Sequence, residues 1–275
     1  MRFYLYRMFR QIAQLIGRVL PESSFRNAVL SGFYFLLNGI PLGFETFTFF
    51  DGTKAKFYRF LSMPSAVPGA GHEIELYVAD HPLQEGEVVV DAGACPGDFA
   101  IYAAKKVGKQ GRVICFEPNP YGRMILVRNI RLNRLHNIEV VPQAVWSSAG
   151  RTQFGVAGKY SRVSDLEMQT DHERTSFLQV SVTLTTIDDA VQRAGIDKVD
   201  FVKMDVEGAE IAALEGCRQI MEHSDVHFAI SSHHLLADGS ESYGHLGSTF
   251  ERLGYSAHTE DGKVTFASRS TVAIA

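Results

Sequence analysis

Residues 86–119 read GEVVVDAGACPGDFAIYAAKKVGKQGRVICFEPN. Glu87 to Val90 opens an apolar, β-branched run expected as a strand buried on both faces, and the run ends on an acid, Asp91. Gly93 and Gly97 flank a tight loop and Pro96 stiffens it. Asp98 is placed to cap a helix from Phe99 to about Val107, whose free N-terminal amides point back into the loop. Gly111 and Arg112 lead into a second strand, Val113 to Phe116, which stops on Glu117 and is followed by Pro118 and Asn119. Two acids then stand at the carboxyl ends of two adjacent parallel strands, where doubly wound sheets bind ligands.

A glycine-rich turn of this kind serves nicotinamide and flavin enzymes when it is spaced G-x-G-x-x-G, because a pyrophosphate rests on the helix amides. Here the third glycine spacing is absent, and Asp91 at the mouth of the loop repels phosphate. A cationic or zwitterionic ligand suits these charges better. S-adenosylmethionine carries an ammonium and a sulfonium near its amino-acid end and two ribose hydroxyls farther along. Asp91 can face the positive end while Glu117 accepts both hydroxyls.

The blocks VVVDAGACPGDFAIYAAK, CFEPNP, VPQAV, TTIDDAV and VDFVKMDVEGAE follow one another along the chain. In that order and spacing they closely resemble the FkbM family of S-adenosylmethionine-dependent methyltransferases, over roughly Glu73 to Met221. The most specific signature is the run from Lys203 to Glu210, KMDVEGAE. The resemblance implies a class I methyltransferase fold, an α/β architecture with a seven-stranded, mostly parallel sheet and helices on both faces. It implies a cofactor turn made by Gly93, Ala94, Pro96, Gly97 and Phe99, with Glu117, Pro118 and Asn119 at the next strand end. It also places Glu73 close to the cofactor's amino-acid end and the loop of Gln143 and Ala144 along the adenine ring. Cys95 stands where the family usually has Asn. Ser231 stands where the family often has Glu two positions before a His, so that acid has no counterpart here, while His233 remains.

Val199 to Met204 reads as a further core strand ending at Asp205, which by its position projects into the same crevice and belongs to both the cofactor pocket and the chemistry. Glu207 and Glu210 follow at once, and three acids in six residues exceed what a helix cap requires. Val226 to Ser231 is a fifth strand that runs into Ser232, His233 and His234. A histidine at a strand's carboxyl end suits proton transfer near neutral pH. Asp205, Glu207 and His233 are therefore the candidates for taking a proton from an acceptor hydroxyl, and no metal ligand set is assigned.

The chain of 275 residues has 45% hydrophobic and 21% charged residues and a net charge of −4, values of a globular protein with no global drive toward nucleic acid. Residues 1–68 read as an N-terminal extension ahead of the methyltransferase domain at 69–275. In MRFYLYRMFRQIAQLIGRVL, Arg7, Arg10, Gln11, Gln14 and Arg18 group on one helical face, opposite Leu5, Phe9, Ile12, Ile16 and Val19. Such a helix lies in a membrane interface or docks on the protein's own core. Arginines interrupt its apolar region, which argues against a signal peptide. Leu30 to Phe44 is apolar but broken by Gly32, Asn38, Gly39 and Pro41, short of the roughly 20 residues a membrane span needs. Glu45 to Phe50, Asp51-Gly52 and Lys54 to Phe60 read as a β-hairpin, expected to form a lid or a substrate-side wall. Trp146 to Gln179 reads as a ribbon with an exposed excursion around residues 165–175.

Cys95, Cys115 and Cys217 show neither metal nor disulfide spacing, which favours a reducing cytoplasm. The function expected is O-methylation of a hydroxyl on a sugar, glycolipid or secondary metabolite. A nicotinamide-dependent oxidoreductase and a non-catalytic cofactor-binding module stand as alternatives. Expected partners are that small-molecule acceptor and, through the amphipathic helix, a membrane surface. A homo-oligomer is compatible with the sequence.

Overall fold

The computed structural model describes residues 11–12, 15–16, 19–21, 23–60, 70–156, 162–163, 178–234 and 241–269. Arg7, Arg10, Gln14 and Arg18 of the basic face, and the excursion at 165–175, lie outside them. Gln11, Ile12, Leu15, Ile16 and Val19 are helical, as the periodicity predicts.

The main sheet is built from β3 (Val88–Ala92), β4 (Arg112–Phe116), β5 (Ile138–Val141), β10 (Phe201–Met204), β11 (His227–Ser231), β12 (Tyr255–Glu260) and β13 (Val264–Arg269). Its order is β12-β13-β11-β10-β3-β4-β5. The strands from β11 to β5 run parallel, and β13 is antiparallel to both β11 and β12. The strand order reverses beside β3, so the crevice falls at the carboxyl ends of β3 and β10. The seven-stranded, mostly parallel sheet is the class I methyltransferase architecture that the motifs imply.

One face is covered by α2 (Ala70–Tyr77), α3 (Asp98–Lys106) and α4 (Pro120–Leu132) and the other by α5 (Ile187–Arg193), α6 (Glu210–Glu215), α7 (Arg218–His223) and α8 (Ser242–Arg252). A second sheet has the order β6 (Ala144–Val145), β9 (Leu178–Thr185), β7 (Gly150–Val156) and β8 (Arg162–Val163), with β7 and β8 inside the stretch read as a ribbon and β6 and most of β9 outside it. Caps fix several helix starts. Asn119 accepts from the Tyr121 amide with Pro120 at the first position, and Thr186 accepts from the Asp189 amide, as expected for short polar side chains before a helix. The expected cap at Asp98 is corrected: Gly97, in the left-handed region at φ 101°, is the capping residue, and Asp98 is already inside α3. A Cβ at Gly97 would come within 2.8 Å of Leu126, so the tight turn and the packing of α4 both require glycine there.

The extension is continuous with this core. Helix α1 (Ser24–Gly39) lies along α4, with Ser31 and Tyr121 hydroxyls 2.5 Å apart and Arg128 donating to the Gly39 carbonyl at 2.6 Å. The hairpin of β1 (Pro41–Thr48) and β2 (Lys54–Phe60) contributes Phe49, Ala55 and Phe57 to the cluster that buries Phe99 and Ile101. It does not cross the strand ends as a lid. Its turn pairs Asp51 with Lys106 at 3.2 Å, at the far end of α3 from the cofactor turn. Two asparagines hold it there: Asn133 accepts from the Lys56 amide and donates back to its carbonyl, while Asn129 accepts from the Tyr58 amide. Asn129 is fully buried and also donates to the Pro96 carbonyl at 2.9 Å, so one side chain joins the hairpin to the Gly93–Gly97 turn. Asn129→Ala orphans both backbone groups and should cost roughly 1–3 kcal/mol in chemical denaturation; a loss under about 0.5 kcal/mol would show that the bridge is not needed.

Candidate functional site

The two turns at the crevice touch. Amides of Gly93 and Ala94 both donate to the Phe116 carbonyl, and the Asp205 amide donates to the Ala92 carbonyl. Gly93 takes φ 82°, and a Cβ there would run into the Asp205 carbonyl oxygen. Glycine is thus needed both for conformation and for the close approach of the two loops.

Asp91 does not project from the strand end as expected. It lies within β3, fully buried, in register with Lys203 on β10, and Lys203 Nζ stands 3.1 Å from Asp91 Oδ1. Burial raises the Asp91 carboxyl and Lys203 opposes the rise. Burial pulls the Lys203 ammonium down, but Asp91, Asp205 and Asp98 outweigh it and raise it overall. Lys203 also donates to the Gly93 carbonyl at 3.2 Å and sits 5.5 and 6.0 Å from the Tyr77 and Phe99 ring centres, within cation–π range. Since Lys203 neutralises Asp91, repulsion of phosphate at this turn passes to Asp98. The Asp98 carboxyl is pushed up to about 6, chiefly by burial.

Glu117 follows β4 and is 6% exposed. Its oxygens accept from the amides of Cys95 at 3.2 Å and Asn119 at 2.8 Å. Burial pushes its carboxyl up to about 7 against those two bonds. Pro118 continues this strand end, its carbonyl accepting from Arg123, and Ala94, Pro96 and Phe99 are buried in the turn. Ala144 is buried in β6 beside Gln143, whose amide is engaged by Arg193 at 3.2 Å and by the Leu184 carbonyl at 3.5 Å. Glu73 is exposed on α2, close enough for its charge to raise Tyr77 and Asp98.

The acids after β10 gather around His234, not His233. His234 Nδ1 is 2.9 Å from Glu210 Oε1, and its Nε2 is 3.7 Å from both Asp205 Oδ1 and Glu207 Oε2. His233 is exposed and pairs with the Ser231 hydroxyl at 3.1 Å. Glu207 reaches the cluster from a left-handed backbone, φ 56°. Glu210, fully buried, accepts from the Val206 and Gly208 amides and so holds its own turn. Burial pulls the His234 imidazole down, but Glu210, then Asp205 and Glu207, outweigh it and push it up to about 9. Tyr77 donates to Asp205 Oδ2 at 3.4 Å. One donor atom each from Asp205, Glu210 and His234 lies within 4.8 Å of the others, a set able to hold a divalent cation.

Sequence reasoning named Lys203 and His234 but assigned neither a role in the site. The signal for Lys203 was a lysine inside an otherwise apolar central strand, a position that demands a buried counter-charge. Because the His234 value rises from 6.5 to about 9 on folding, its contribution to stability is complete below pH 6.5 and disappears as pH rises through about 9. His234→Gln should therefore lower the melting temperature most at pH 6 and progressively less toward pH 9.5 in thermal melts; a penalty independent of pH would contradict the ion cluster.

A family model described as the Methyltransferase FkbM domain matches residues 91–257, more than half of the chain. Methyltransferase sdnD of Sordaria araneosa is 29% identical over 160 residues, 49% of this chain and 61% of that protein. This chain thus spans less than two thirds of the length of that curated relative. The FkbM methyltransferase of Methylobacillus flagellatus KT is 20% identical, with 97% of this chain and 58% of that chain covered and a TM-score of 0.48. Fibrillarin of Aeropyrum pernix, solved with natively bound S-adenosyl-L-methionine, is 15% identical over 82% of this chain and 94% of its own, at a TM-score of 0.44. With the family model spanning the Gly93–Gly97 turn, the KMDVEGAE run and the strands between them, the chain belongs to the FkbM methyltransferase family.

Proposed function

We propose that this protein transfers a methyl group from S-adenosylmethionine to a hydroxyl oxygen of a sugar, glycolipid or secondary metabolite. The observation that carries the reading is the cluster of Asp205, Glu207, Glu210 and His234, seated against the Gly93 turn. The turn fits a positively charged donor with two vicinal hydroxyls. Asp98 and Asp205 add negative potential there, and Glu117 is already oriented by the amides of Cys95 and Asn119.

When bound, the donor supplies an electrophilic methyl group on a sulfonium. The chain's task is to hold an acceptor oxygen in line behind it and to receive the acceptor's proton, and positioning accounts for most of the acceleration. Asp205 is the group for the proton: its side chain is 38% exposed while that of His234 is 12% exposed. As an imidazolium at neutral pH, His234 has no free lone pair to accept a proton, so it positions Asp205 and balances the three carboxylates. As the oxygen's lone pair forms the new bond to carbon, the hydroxyl proton passes to an Asp205 oxygen and the sulfonium leaves as a thioether. The donor set of Asp205, Glu210 and His234 favours a second reading in which a divalent cation assists the hydroxyl. Turnover lost on chelation and restored by Mg²⁺ or Mn²⁺ assigns that reading, and unchanged turnover assigns the proton to Asp205 alone.

Two outcomes are expected. Glu117→Ala should weaken donor binding by roughly 1.5–3 kcal/mol in calorimetry, the scale of charge-assisted hydrogen bonds. Because hydroxyls donate to the ionised form, wild-type affinity should rise as pH passes through about 7, and Glu117→Gln should flatten that rise. Asp205→Asn should lower turnover by about 10² to 10⁴ with donor affinity less affected, measured with labelled donor against a panel of sugars, lipids and natural products. Unchanged donor affinity in Glu117→Ala, or no methyl transfer to any hydroxyl, would count against the assignment.

A further inference from the structure

We propose that the flank formed by α1 and β1 docks on an anionic membrane surface, with the cations of the adjoining groove against lipid phosphates. The sequence of α1, SFRNAVLSGFYFLLNG, holds no acid and one charged residue, Arg26, which is buried. Its inner side, with Leu30 fully buried and Ser31 against Tyr121, packs on α4. Its outer side presents Phe25, Ala28, Gly32, Phe35 and Leu36, a stripe at helical spacing without a charge. Phe25, Phe35 and Leu36 are 67%, 59% and 57% exposed. The stripe continues onto the hairpin through Ile40, Leu42 and Phe44, all more than two fifths exposed. A contiguous apolar face of this size is unusual on a protein in water.

The border of that face decides what covers it. Between the hairpin and the C-terminal ends of α3 and α4 lies a groove of about 970 Å³ lined by Lys54, Lys56, Lys105, Arg128, Arg131 and Arg134, with no Asp or Glu among its walls. Six cations stand together on a chain whose net charge is −4. Lys105 and Arg131 also complement the ends of their helices, but Lys54 and Lys56 lie on β2 and serve no helix. Apolar side chains beside a groove of lysines and arginines that no carboxylate lines match the boundary of an anionic bilayer, where the chains enter the acyl edge and the cations meet phosphates. A second copy placed symmetrically on the same patch would bring six cations against six and repel. No described helix is long and apolar enough to cross a membrane.

Helix α1 runs from Tyr121, at the crevice end of α4, to Arg128 at the groove. The crevice therefore opens at the rim of the docking face. On the methyl-transfer reading, on which this consequence alone rests, an acceptor carried by a lipid would be presented at that rim.

The test is co-sedimentation of the full chain with vesicles, without donor or acceptor, so its result is independent of methyl transfer. Vesicles of phosphatidylglycerol with phosphatidylcholine should bind the protein at low salt, binding should fall at least tenfold in 0.5 M NaCl, and pure phosphatidylcholine should bind at least tenfold less. Lys54→Glu with Arg131→Glu, and separately Leu36→Ser with Leu42→Ser, should each reduce partitioning at least tenfold at an unchanged melting temperature. The charge pair alters only exposed side chains, so it remains informative if the apolar pair fails to fold. A wild-type chain that stays in the supernatant overturns the proposal, as do variants that bind like the wild type. A dimer in solution that Leu36→Ser dissociates, with no vesicle binding, assigns the face to a second copy and overturns it as well.

Discussion

Lys203 and Asp91 face each other in register across β10 and β3, at the centre of the sheet and with almost no access to water. Such a pair contributes little to net stability, because removing two charges from water costs about as much as their attraction returns. Removing one partner is another matter, since it leaves an uncompensated charge between the strands. What the pair sets is the potential of the crevice. Lys203 cancels Asp91, donates to the Gly93 carbonyl, and holds its ammonium near the rings of Tyr77 and Phe99. The helix that carries Tyr77, the cofactor turn and the two central strands thus converge on one ammonium. Asp98 and Asp205 are then the acids left to act outward.

Charge is segregated over the rest of the molecule in the same way. The strand ends gather Asp98, Glu117, Asp205, Glu207 and Glu210, while the groove under the hairpin gathers six cations. A net charge of −4 conceals this, because a sum over the chain carries no information about position. The acidic end suits a cationic donor and the basic flank suits an anionic surface. The two ends are joined by α1 and α4, which run side by side between them.

The sheet was legible because parallel strands buried on both faces read as unbroken apolar runs, and the central two, β3 and β10, are each followed by a glycine turn and a helix. The reversed β12 and β13 pair was marked by Asp261-Gly262. The site was less legible, for local reasons. VVVDA places the acid one residue before the strand ends, so whether Asp91 points out or pairs inward depends on the lysine opposite, which is 112 residues away. His233 and His234 follow one extended strand, and neighbours in such a chain point to opposite sides. Choosing between them requires knowing which side the Glu210 turn occupies. The position of the hairpin was not legible at all. It depends on Asn129 and Asn133, polar residues whose spacing of four on α4 looks like a solvated face but instead pairs with the backbone of β2.

That hairpin arrangement bears on how acceptor and donor meet. Asn129 spans from the Tyr58 amide to the Pro96 carbonyl, and Gly93 on the other side of the same turn abuts Asp205. The Gly93–Gly97 turn is therefore clamped between the extension and the loop that carries Asp205, through backbone atoms that cannot shift without breaking a buried hydrogen bond. A donor in this turn and a hydroxyl at Asp205 would be set by one rigid seam and not by two independent loops. Rigidity of this kind suits in-line displacement, where a misplacement of about 1 Å can cost a hundredfold in rate. On the proposed methyl-transfer reading, acceptor selection would fall to the outer wall of the crevice, where Glu207, His233 and Tyr243 stand exposed or half-exposed outside the seam.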